Sequence, residues 1–87
     1  MLNNTSIREK IYNIIKDNVD KRENIILEGP FEDIGVGSLS FVKIMVELEI
    51  QFEVEIEDKY YTGEYENIRD FIDKITDYFS GRDSYGN

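Results

Sequence analysis

The run from Ser38 to Phe52 contains neither glycine nor proline, and it follows Gly35 and Gly37, which loosen the backbone just before it. A helix is therefore expected from Ser38. At about 100° per residue, its polar positions Ser40, Lys43, Glu47 and Gln51 fill one narrow sector, and nearly everything else apart from Glu49 is apolar. That apolar arc is too wide for one buried face. Phe41, Ile44, Met45, Leu48 and Phe52 are assigned inward, which leaves Leu39, Val46 and Ile50 clustered on a second side near Ser38. Either a third helix covers that side or it is an exposed patch for partners to grip. On position alone Ser38 reads as the helix N-cap. The same place has unpaired backbone N–H groups and the positive end of the helix dipole, so a phosphate borne by Ser38 would be favoured there.

Eighty-seven residues allow one small domain and no second, catalytic one. The net charge of −9, from 19 acidic and 10 basic residues, repels nucleic-acid phosphates and anionic lipid and favours basic partner surfaces. Cysteine and histidine are both absent. The first absence excludes disulfides and thiolate metal sites, and the second removes the commonest general base and the usual triads. The numerous carboxylates match no alternating Asp-x-Asp-x-Asp-Gly loop, so no metal site is expected. No segment has the apolar length of a membrane span, and Met1 to Asn4 leads into a polar helix rather than a signal sequence. A cytoplasmic monomer that is not an enzyme is the expectation, free-standing because it has its own Met1.

Three further helices are expected around the first. Ser6-Ile7-Arg8-Glu9 has capping-box form, and Ile7, Ile11, Ile14 and Ile15 recur on one face until the region of Asn18 to Asp20. Lys59 to Tyr65 suggests a short helix or turn broken at Gly63, its tyrosines wedged against the bundle. Asn67 is a good N-cap for a last helix bearing Ile68, Phe71, Ile72, Ile75 and Phe79. Between Asp20 and Gly37 no helical period persists, and a long loop is expected to tuck Ile25, Ile26, Leu27 and Phe31 or Ile34 under the bundle. Val54 and Ile56 alternate with acids, yet a lone strand has nothing to pair with, so an extended connection is preferred. The fold class is all-α, a small four-helix bundle with three main helices and one short one. Residues 1–80 form the domain and residues 81–87 a flexible tail.

Phe31, Asp33, Ile34, Gly35, Ser38, Leu39, Val42, Ile44, Leu48, Glu49 and Phe52 stand in a register, without gaps, that resembles the attachment motif of the phosphopantetheine-dependent acyl and peptidyl carrier proteins. The resemblance implies the same four-helix bundle and a phosphopantetheine arm on Ser38, donated by coenzyme A through a phosphopantetheinyl transferase. The arm would hold an acyl or aminoacyl thioester and present it to loading and condensing enzymes with basic docking surfaces. Leu39, Val46, Ile50 and Glu47 are the expected docking residues. One departure from the motif is Gly37, where the family has an acidic residue at which the modifying synthase docks. It leaves open an alternative, an unmodified acidic interaction module with a carrier-like fold. Neither reading identifies the cargo: a fatty acyl group would want an apolar core that can expand, whereas an aminoacyl or polyketide group could stay outside.

Overall fold

A computed structural model of the chain describes residues 3–20 and 23–85, with side chains as far as residue 81. It contains α1 (Asn4–Asp17), a 3₁₀ turn (Phe31–Ile34), α2 (Ser38–Phe52), α3 (Asp58–Tyr61) and α4 (Ile68–Tyr85), and no strand among the described residues. The three long helices each contribute an apolar stripe. Ile7, Ile11, Ile14 and Ile15 of α1 meet Ile44, Met45 and Leu48 of α2 and Ile68, Phe71, Ile72, Ile75 and Phe79 of α4. Burying such side chains contributes about 1.5–3 kcal/mol each, the main drive for so small a bundle.

Direction follows from cross-helix contacts. Arg8 of α1 pairs with Asp73 and Asn4 with Ser80, so α1 and α4 run antiparallel. Phe31 and Phe41 both pack on Phe71, and Phe52 packs on Phe79 at 4.5 Å between ring centroids, so α2 and α4 run parallel. Long connections make this possible. The first, from Asn18 to Gly37, sends Ile34 and Val36 into the core and tucks Ile25, Leu27 and Phe31 partly beneath it. Ile26 lies 61% exposed, contrary to the expected burial of the whole triplet. Neighbours in an extended segment point to opposite sides, so Ile25 and Leu27 turn inward and Ile26 outward. Loop carbonyls also complete α4: Ile68 N–H donates to Gly29 C=O at 3.0 Å and Arg69 N–H to Leu27 C=O at 2.9 Å. The Arg69 guanidinium closes on Glu28 at 2.6 and 3.0 Å and holds that carboxyl below its ordinary pKa.

Several helix boundaries differ from expectation. The cap of α1 is Asn3, whose Oδ1 accepts from Ser6 N–H at 2.8 Å, so Ser6 lies inside the helix and its capping-box form is not used. Asparagine fits that role as well as serine does, and it gains an extra turn of helix. At the C-terminal end α4 continues through Ser80 and Gly81 to Tyr85, past the start of the expected tail. Once nucleated, a helix adds residues cheaply, and Gly81 weakens but does not stop it. Gly86 and Asn87 of that tail lie outside the described residues. The connection after α2 is as expected: Val54 is partly buried, Ile56 is 5% exposed, and Ile56 N–H donates to Glu49 Oε2 at 2.8 Å.

Candidate functional site

The start of α2 is positioned by the turn before it. Gly35, at φ 76°, closes the 3₁₀ turn in the left-handed conformation that glycine adopts without Cβ strain. Val36 N–H returns to Phe31 C=O at 3.1 Å, and the chain then straightens at Gly37. The first helical bond runs from Phe41 N–H to Gly37 C=O at 2.8 Å. Gly37 is therefore the N-cap and Ser38 the first helical residue, which corrects the reading of Ser38 as the cap. Without a capping side chain, the amides of the first turn keep their hydrogen-bonding capacity facing outward. Ser38 is exposed, and its hydroxyl takes no part in capping.

Ser38 lies on the rim of an open groove of about 500 Å³. Phe31, Phe41, Val42 and Tyr65 line it with Val36 and Tyr61, and Glu32 and Asn67 add polar edges. Its walls thus come from the 3₁₀ turn, the first turn of α2, the end of α3 and the entry to α4. Tyr65 is fixed by its hydroxyl, which donates to Tyr60 C=O at 2.7 Å. Burial pushes the Tyr65 phenol up to about 12, with Tyr60 and the Asp70 carboxylate adding to the shift. The Tyr61 phenol also rises to about 12, through desolvation and its neighbour Glu49. Both rings thus stay neutral and apolar toward the groove throughout the ordinary pH range. A second cavity, of about 570 Å³, is bounded by Arg8, Tyr12, Leu27, Arg69 and Ile72 and shares no lining residue with the Ser38 groove. Among the described residues no cluster of histidine, cysteine, aspartate and glutamate could hold a metal ion, and no helix is long and apolar enough to cross a membrane.

Of the expected docking residues, Leu39, Val46 and Ile50 form one exposed stripe, at 84, 43 and 64% exposure. The short α3 does not cover it. Val42, at 44%, belongs to the same stripe and was missed, although the spacing 39, 42, 46, 50 is a helical one. Glu47 is brought elsewhere. It accepts from Gln51 Nε2 at 3.0 Å and shares a shallow groove with Lys10, Asn13 and Asp17 of α1, on the flank of the stripe.

Comparison with known proteins bears on this site. Residues 9–75 match the model of the family described as "Phosphopantetheine attachment site". Over 56 residues the chain is 43% identical to an acyl carrier protein of Rickettsia bellii strain RML369-C, covering 62% of this chain and 65% of that relative. It is 45% identical over 56 residues to the acyl carrier protein of strain OSU 85-389, covering 62% and 69% respectively. The chain thus spans just under two thirds of the first of these relatives. No solved structure matches it.

Proposed function

We propose, for a chain that belongs to the phosphopantetheine attachment-site family, that Ser38 bears the phosphopantetheine and that the protein carries acyl or aminoacyl thioesters between enzymes. The observation that carries this reading is the exposed Ser38 hydroxyl, free of capping duty, on the first residue of α2. In the transfer step Ser38 Oγ attacks the phosphorus next to the pantetheine of coenzyme A. A phosphodiester forms, the diphosphate bond breaks, and adenosine 3′,5′-bisphosphate leaves. The serine proton passes to a base on the transferase, since this chain has no histidine to accept it. The orphan amides of α2 face the phosphate so introduced.

Leu39, Val42, Val46 and Ile50 are the apolar surface we assign to partner enzymes, with Glu47 as a charge at its margin. Six acids between Glu47 and Asp58 make that side of the protein negative and suit basic docking surfaces. A monomer in the cytoplasm fits this role. The alternative, an unmodified interaction module, rests on Gly37. A Cβ built there meets nothing within 4 Å and the backbone is extended, so the fold does not demand glycine at that place. The residue is then a matter of recognition: Gly37→Asp is expected to fold as the native chain does and to raise loading by a broad-specificity transferase, read by intact-protein mass.

The deciding experiment is intact-protein mass after incubation with coenzyme A, magnesium and such a transferase, with Ser38→Ala alongside. One added phosphopantetheine on the native chain and none on the variant is the expected result. Because Gly37 rather than Ser38 is the cap, the variant should also melt within about 1 °C of the native protein. Loading that persists in Ser38→Ala would move the site, and no loading by several transferases would favour the interaction module.

A further inference from the structure

We infer that the group carried on Ser38 stays in the surface groove against the rings of Phe31, Phe41 and Tyr65 and does not enter the isoleucine core, so the cargo is a short or polar acyl group, aminoacyl included. The inference rests on the reading of Ser38 as the attachment residue and goes on to the class of cargo. Three rings of the groove wall converge on Phe71, with centroid separations of 5.2 Å from Phe31, 5.4 Å from Phe41 and 5.0 Å from Tyr65. Phe31 and Phe41 also meet each other, at 5.6 Å. The contacts to Phe71 and between Phe31 and Phe41 are edge-on, the arrangement the ring quadrupoles favour. Phe71 is wholly buried behind them, and Ile44, Met45, Ile68 and Ile75 are equally inaccessible.

An acyl chain on the arm that enters the core through the groove beside Ser38 must part rings that hold one another. It must also break the bond from the Tyr65 hydroxyl to Tyr60 C=O, which closes the wall on the α3 side. Outside the wall, the groove offers flat apolar faces edged by Glu32 and Asn67 and open to water. A short acyl or aminoacyl group can lay its apolar part on the rings and keep its polar part solvated. A long alkyl chain in so open a groove would leave much of its length in water.

The test loads Ser38 from acetyl-coenzyme A and from octanoyl-coenzyme A with a broad-specificity transferase, confirms each product by mass, and compares the two by nuclear magnetic resonance and by melting. The expected result is that they differ at the ring signals of Phe31, Phe41 and Tyr65, with the methyl signals of Ile15, Ile44 and Ile75 unchanged. Their melting temperatures should agree within about 1 °C. Shifted isoleucine methyls, with an octanoyl form melting more than about 5 °C above the acetyl form, would mean that the chain is swallowed and would overturn the inference. In Phe41→Ala the wall is breached, and the octanoyl group should then perturb the Ile44 methyls; core signals still untouched would show that the rings are not the barrier. A mass gain with core shifts removes this inference alone, whereas no mass gain with either donor removes the attachment reading as well.

Discussion

Thr76 places a hydroxyl wholly out of contact with solvent on α4, and its Oγ1 has no hydrogen-bond partner. Such a group loses its water on folding and recovers nothing, at a cost of about 1–3 kcal/mol. Thr76→Val keeps the branched shape and removes the orphan oxygen. We expect it to raise the unfolding free energy by about 1 kcal/mol, read as a higher urea midpoint with unchanged slope; a lower midpoint would show that the hydroxyl is bonded. Neither the burial of Thr76 nor the role of Gly37 could be read from residue type. Threonine is usually exposed, and serine beside glycine favours the serine as a cap. What decided both was the exact turn of backbone around them, which rests on contacts far away in the chain.

Glu53 is the element-scale counterpart. It ends α2 at φ 54°, the one non-glycine residue with positive φ among those described. Its N–H and that of Val54 both return to Glu49 C=O, while the Glu49 carboxylate holds Ile56 N–H. One residue thus anchors both the helix end and the connection that follows. A side chain in the left-handed region costs about 1–2 kcal/mol relative to glycine. Glu53→Gly should therefore stabilise the protein by about 1 kcal/mol, measured by chemical denaturation, and a loss of stability would show that the glutamate side chain outweighs the strain. The helices themselves were legible because their isoleucines and phenylalanines repeat at 3.6 residues. The 3₁₀ turn at Phe31–Ile34 was not, since four residues are too few to show a period. The second apolar side of α2 was legible as a surplus, and its exposure became certain only with the small extent of α3.

At the scale of the whole molecule, Tyr61 and Tyr65 link the groove to stability. Both phenols are pushed up to about 12, against about 10 in an unfolded chain. Below pH 10 they are protonated in both states and contribute nothing to pH dependence. Between pH 10 and 12 the unfolded chain ionises first, so stability falls as pH rises and levels off above 12. Phenolate absorbance should show Tyr61 and Tyr65 titrating late, together with a melting temperature that drops across that window; loss of neither late component in Tyr61→Phe and Tyr65→Phe would mean that these rings are open to water. The attachment motif was the most legible part of the site, because it is contiguous in sequence. The ring wall behind it was not, since Phe31, Phe41, Tyr65 and Phe71 come from four separate segments.

Antiparallel packing of α1 on α4 brings Asn4 beside Ser80 at one pole of the bundle, whereas Ser38 and Phe71 sit toward the other. Along α4 the twelve residue steps from Ile68 to Ser80 span about 18 Å. The protein can therefore be anchored by either end, to a bead, a surface or a neighbouring protein, with the serine turned outward. Such a tether would fix the bundle at the pole opposite Ser38 and leave that serine and its groove open to partners.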